Sequence, residues 1–220
     1  MTPEEYQKAI ITIDKNKLST LPAAEYKGNV KLIKNKSALE EAVKHLKLSK
    51  IIGFDTETRP SFKKGLCYNV ALIQLATPEC CYLFRTNEIG YPKELISILE
   101  DPNLLKVGLS IHDDFHNLRR TVDINPAGFI DLQQYVKEFK IADNSLSRLY
   151  GILFGERISK GQRLTNWESP ELSDAQQRYA AMDAYACIRI YEYLQEGKFD
   201  PRKSQYLTSP PEPIVEEEEK

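Results

Sequence analysis

Residues 51–58 read IIGFDTET, in which two isoleucines, a glycine and a phenylalanine run directly into an aspartate and a glutamate separated by one residue. The apolar half has the length and β-branched content of a buried strand. Side chains two apart on a strand project from the same face, so Asp55 and Glu57 share one side of the strand end, roughly 7 Å apart along it. Like charges held there are unfavourable unless water solvates them or a cation bridges them. For this stretch alone the simpler reading is a strand that has reached solvent.

Working outward, "YNVALIQLATPECCYLFRT" (68–86) predicts two strands around a Thr-Pro-Glu turn, paired as a hairpin. A helix is expected from Pro92 to Leu99, then a strand in "NLLKVGLS", a helix in "DDFHNLRRTV" and a short strand in "GFIDL". Helices follow in "DLQQYVKEF" and "SLSRLYGILFG", with a polar loop over 158–172 and a long helix from about Ser173 to Glu196. Upstream, "NVKLIKN" suits an edge strand, and Ser37 is the expected cap of a helix carrying Leu39, Val43 and Leu46 on one side. Thr2, Pro3 and Glu5 form a capping-box pattern for a short, peripheral N-terminal helix. The element order predicts an α/β fold, a mixed sheet flanked by helices. The expected division is an N-terminal extension (1–25), one folded body (26–200) and an acidic tail without fixed structure (201–220).

Composition agrees with a single domain: of 220 residues, 41% are hydrophobic and 28% charged, enough for a sizeable core. No apolar run approaches the roughly 20 residues of a membrane span, and "MTPEEYQKAI" carries acids where a signal peptide carries bases, so a cytoplasmic protein is expected. The four cysteines form no Cys-x-x-Cys pair and read as reduced thiols rather than zinc ligands. The net charge of −2 is uneven: "PPEPIVEEEEK" (210–220) holds five glutamates and one lysine, which leaves the preceding 209 residues at +2. A mildly basic body is compatible with binding a phosphodiester backbone.

Three further acids change the weighing at Asp55 and Glu57. Asp113 and Asp114 follow the "LLKVGLS" strand, at the C-terminal strand edge where α/β folds place ligands. Asp183 lies within "YAAMDAYACIRIY", beside a helical stripe of Ala180, Ala184, Cys187, Ile188 and Tyr191. A carboxylate in so apolar a setting requires a partner. Tyr179, four residues earlier, stands one turn away on the same face.

In order, "FDTET", "VGLSIHDDFHNL" and "YAAMDAYACIRIY" resemble the three motifs of the DEDD 3′–5′ exonucleases, with Asp-x-Glu in the first, Asp in the second and Tyr-x-x-x-Asp in the third. "FIDL", "NWESPEL" and "YKGNV" add similarity to the branch holding ribonuclease D and the Werner-syndrome exonuclease domain. The resemblance covers about residues 26–195. Arg178 stands where the other large branch has histidine, and Ser110 where proofreading domains carry asparagine, so the tyrosine branch is the better match. Of the adjacent acids, Asp114 suits the family's spacing to Leu118 better than Asp113 does.

The resemblance implies a ribonuclease-H-like fold and metal-dependent phosphodiester hydrolysis at the 3′ end of DNA or RNA, single-stranded or otherwise 3′-ended. It implies two Mg²⁺ or Mn²⁺ ions roughly 3.5–4 Å apart. Asp55, Glu57 and Asp183 would hold the ion that activates water, and Asp55 with Asp114 the one at the leaving oxygen. Tyr179 would position the water. Thr56, Gln74, Asn117 and Trp167 are candidate substrate contacts, with packing beneath its loop the other reading of Trp167, and Arg59, Lys63, Lys64, Lys160 and Arg163 are candidate phosphate contacts or ordinary solvated loop charge. No protein partner and no membrane are implied, and none of His45, His112 and His116 is given a role. Asp-x-Glu-x-Thr also faintly resembles the first motif of haloacid-dehalogenase phosphatases, but Glu57 replaces their second aspartate and their later motifs have no counterpart. A non-catalytic nucleic-acid-binding module of the same fold is the remaining alternative, opposed by the presence of all four acids and the tyrosine.

Overall fold

The computed structural model of the protein describes residues 2–209. In chain order its elements are α1 (Pro3–Lys8), β1 (Ile10–Ile11), α2 (Lys15–Thr20), β2 (Asn29–Ile33), α3 (Lys36–Leu46), β3 (Ile51–Thr58), β4 (Val70–Ala76) and β5 (Cys80–Phe84). There follow α4 (Thr86–Ile89), α5 (Lys93–Leu99), β6 (Leu105–Gly108), α6 (Ile111–Leu118), β7 (Phe129–Asp131), α7 (Leu132–Tyr135), α8 (Leu146–Phe154), α9 (Asp174–Gln195) and β8 (Leu207–Thr208). Six strands form one mixed sheet in the order β2-β5-β4-β3-β6-β7, with β3, β4 and β5 antiparallel and the outer pairings parallel. The α/β class, the hairpin and the edge position of residues 29–33 are as the sequence implies. Among the described residues no helix is long and apolar enough to cross a membrane.

Alternation along β3 and β4 divides the core into two layers. Ile52, Phe54, Ile73 and Leu75 face α3, α5 and α6, whereas Leu72 and Ala76 face α8 and α9. On β3, Gly53 lies on the α9 side. A Cβ there would sit 1.9 Å from the Ala184 carbonyl oxygen, so the sheet tolerates no side chain where the helix crosses it. Ala180, Ala181 and Ala184, all fully buried, provide the matching flat surface on α9. This close approach suspends Tyr179 and Asp183 over the acidic end of β3.

Local corrections have simple causes. The cap of α3 is Asn35, whose side chain accepts from the Ala38 N–H; Ser37 already lies inside the helix. "DLQQYVKEF" is one α-turn followed by a 3₁₀ turn, Val136–Phe139, rather than one helix. α1 buries nothing, but the extension after it is not peripheral. Ile11 and Ile13 are fully buried, and the Asp143 carboxylate accepts from the Ile13 N–H (2.9 Å) and the Thr12 hydroxyl (3.0 Å). Residues 201–209, assigned by sequence to the tail, carry a 3₁₀ turn and β8, which pairs antiparallel with β1. The rest of the expected tail lies outside the described residues.

Gly53→Ala forces α9 off the sheet. The expected loss of stability is about 3 kcal/mol, the upper end of overpacking costs, read from urea unfolding. A loss under about 1 kcal/mol would show that the contact does not set the position of the helix.

Candidate active site

β3 supplies Asp55 and Glu57 from its last turn of pleat, and the ladder with β4 shifts register between Glu57 and Thr58, as at a bulge. α9 supplies Asp183 from the opposite side. One carboxylate oxygen each of Asp55, Glu57 and Asp183 lies within 4.8 Å of the others, and the three side chains are buried or half-buried. Asp114 enters from the first turn of α6, where its carboxylate accepts from the Thr56 hydroxyl, while Asp113 points to solvent. The register ambiguity between the two acids is thus resolved by the helical turn: only Asp114 faces β3.

Burial is the main influence on every acid of the cluster. It raises Asp55 well above the usual carboxylate range, reinforced by the charge of Asp183. Glu57 is pushed up to about 10 by burial and then by Asp55, Asp183 and Asp114, against a smaller opposing pull from Arg163. Burial and Asp55 raise Asp114, with the Thr56 hydroxyl opposing. Asp183 rises to about 7, again by burial, and the Tyr179 hydroxyl beside it favours its ionised form. Tyr179 itself is raised, by burial first and by Asp183 second, so it keeps its proton throughout the working range. Hard oxygens alone make up the donor set, with no histidine or thiol, which fits a hard divalent cation.

The structure places the other candidates unevenly. Thr56 is half-buried and engaged with Asp114, and Asn117 is half-buried on α6, three residues beyond that acid. Two are corrected. Trp167 is 0% exposed and packs against Tyr179, ring centroids 6.1 Å apart, so it backs the tyrosine and offers no face to a base. Gln74 is also 0% exposed and presents nothing to a substrate. Arg59 pairs with Glu168 (3.3 Å) and lies over the Tyr68 ring (4.7 Å), joining the loop after β3 to the loop before α9. A cavity of about 460 Å³ opens between these loops, lined by Arg59, Lys63, Phe62 and Leu164 among others.

Two positioning groups were not singled out from the sequence. Asp131, at the end of β7, accepts from the Ser110 and Ile111 N–H groups (both 3.2 Å) and so fixes the turn that launches α6; Ser110 there has φ 58°. Arg85, fully buried after β5, donates to the Ser169 carbonyl (2.6 Å) and pairs with Glu88 (3.0 Å), anchoring the loop that carries Trp167. An arginine directly after the apolar run "CCYLF" was the available signal.

Over this geometry, the sequence profile described as 3′-5′ exonuclease matches residues 30–197. The chain belongs to the 3′-5′ exonuclease family. It is 35% identical over 150 residues, 66% of its length, to the mouse bifunctional 3′-5′ exonuclease/ATP-dependent helicase WRN. That match spans 11% of the mouse protein. Among solved structures, the Aedes aegypti Nibbler EXO domain superposes with a TM-score of 0.69 at 22% identity, covering 82% of this chain and 97% of that one. A Trypanosoma brucei RNase D in complex with RNA U12 also superposes with a TM-score of 0.69, at 20% identity, covering 77% of this chain and 63% of that one. These structures share the ribonuclease-H-like exonuclease fold, and divalent metals are typical of the family.

The raised carboxyls make the cation-free protein less stable as pH rises. The folded state holds protons that the unfolded chain releases above its ordinary values of 3.8 for Asp and 4.5 for Glu. In EDTA the unfolding midpoint is therefore expected to fall from about pH 5 upward, through the Asp183 value and on toward that of Glu57. Asp183→Asn should flatten this slope and raise the midpoint at about pH 8. A midpoint independent of pH in EDTA would contradict the electrostatics described here.

Proposed function

We propose that this protein removes nucleotides from the 3′ end of DNA or RNA by hydrolysis dependent on two divalent ions, Mg²⁺ or Mn²⁺. The observation that carries the reading is the convergence of Asp55, Glu57 and Asp183 to within 4.8 Å beneath Tyr179, in a chain of the exonuclease family. Asp55, Glu57 and Asp183 would hold one ion, and Asp55 with Asp114 the other. When bound, the ions supply charge neutralisation at the phosphate and the acidity that makes water a nucleophile near neutral pH.

The chain's own residues supply placement. Tyr179, fixed by Trp167 behind it and Asp183 beside it, holds the attacking water by a hydrogen bond without taking its proton. Thr56 locks the Asp114 carboxylate, and Asn117 is a candidate contact for the terminal nucleotide. Arg59, Lys63, Lys64, Lys160 and Arg163 sit in the two loops that border the site, where a phosphodiester backbone gains from their charge. Arg163 is close enough to Glu57 to act on it electrostatically, which supports a strand path between these loops.

The test is digestion of 5′-labelled single-stranded and 3′-recessed DNA and RNA with Mg²⁺, Mn²⁺ or EDTA. A ladder shortening from the 3′ end is expected with either metal and none in EDTA. Asp55→Ala with Glu57→Ala should abolish it, and Tyr179→Phe should lower turnover by about 10²-fold, with a smaller weakening of Mn²⁺ binding because the hydroxyl that favours ionised Asp183 is lost. Shortening that persists in EDTA or in the double variant would sink the metal mechanism. The loops predict a second result: Arg59→Ala with Lys63→Ala should weaken binding of long oligonucleotides and flatten its salt dependence by about two units of log–log slope. Hydrolysis of a nitrophenyl nucleotide ester, which reaches only the acids, should not change.

A further inference from the structure

Gln74 on β4 is the cross-strand partner of Asp55 on β3. Residues directly opposite in an antiparallel pair project from the same face with Cβ atoms about 4.5–5.5 Å apart. Its amide therefore stands beside Asp55, on the face that α9 covers. The residues around it on that face are apolar: Leu72 and Ala76 on its own strand, and Leu83 opposite it on β5. Yet the side chain is fully buried and neither Oε1 nor Nε2 has a hydrogen-bond partner. An orphaned buried amide is costly and rare, and an aliphatic residue would fill this position without that cost.

Of the other buried polar groups near the acids, the Trp167 indole N–H behind Tyr179 also lacks a partner, while the hydroxyls and the second amide are engaged. The Thr56 hydroxyl donates to Asp114, and the Tyr179 hydroxyl lies beside Asp183. The buried Gln176 amide, at the start of α9, donates to the Thr165 hydroxyl (3.0 Å) and the Asn166 carbonyl (3.3 Å). Gln74 alone among the described buried amides is free. Carboxylates that ligate a cation are themselves held by hydrogen bonds from outer partners, which orient the ligand.

Resting on the metal reading above, we propose that Gln74 is a positioning residue for the metal-holding carboxylates: its Nε2–H₂ would donate to the Asp55 carboxylate opposite it on β3, fixing the orientation in which that carboxylate serves as a ligand. The orphaned amide of the cation-free protein is then a donor kept in readiness.

Mn²⁺ titration calorimetry on the full chain tests this, with Gln74→Met as the variant that keeps the volume and removes the donor. Mn²⁺ binding is expected to weaken by about 10–100-fold, while the unfolding midpoint in EDTA stays level or rises because an unpaired amide has been removed. Affinity within about twofold of the parent overturns the inference. A parent chain that takes up no Mn²⁺ overturns the metal reading itself, and this inference with it. Should the Met variant not fold, Gln74→Leu, which also removes the donor and matches the apolar residues around it, is titrated in the same way, and affinity within about twofold of the parent overturns the proposal.

Discussion

Helix α9 can lie on the sheet at this depth only because residue 53 has no side chain and residues 180, 181 and 184 have almost none. The Ala184 carbonyl occupies the volume that a Cβ on Gly53 would need. Everything at the site depends on that contact. Asp55 and Glu57 are mounted on β3, Asp183 and Tyr179 on α9, and the distance between the two mounts is set by the thinnest point of the interface. Had a larger residue stood at 53, the helix would ride higher and the acids would sit apart in water, where they could titrate independently.

The arrangement concentrates negative charge in a dry place, and the energetics follow from burial more than from mutual repulsion. Desolvation leads at all four acids, ahead of any neighbouring charge. Without an ion such a cluster is relieved by holding protons, which it must give up as pH rises. A hard divalent cation would neutralise it near neutral pH, so that affinity for the ion and instability without it would be two consequences of the same geometry. The surrounding devices hold the acids still: the Asp131 carboxylate fixes the turn before α6, Arg85 ties down the loop carrying Trp167, and Trp167 backs Tyr179.

Much of this was legible in the order of residues. The apolar runs in "IIGFDTET" and "VALIQLA" gave both strands, and the spacing of two gave Asp55 and Glu57 one face, because side chains alternate along a strand. The Tyr-x-x-x-Asp spacing gave one helical face, because 3.6 residues make a turn. Other features were not legible. For Trp167, in a polar loop, the sequence left open a substrate contact or packing beneath the loop; it lies fully buried, since a loop can fold its one large aromatic inward over a helix. Residues 10–13 and 207–208 looked like the fringes of a domain; they complete each other as a small sheet that neither forms alone. Arg85 looked like the end of a strand, and its role depends on a carbonyl 84 residues away.

The sequence by itself determined the fold class, the main strands and helices, and Asp55, Glu57, Asp183 and Tyr179 as candidates with Asp114 preferred to Asp113, because each follows from local periodicity or from a motif that repeats a known order. Tertiary structure decided that Asp114 meets β3 while Asp113 is exposed, how closely the acids approach, and which polar groups remain without partners behind them. Those are distances between segments far apart in the chain, and they are fixed by packing across the sheet, for which no run of neighbouring residues carries the information.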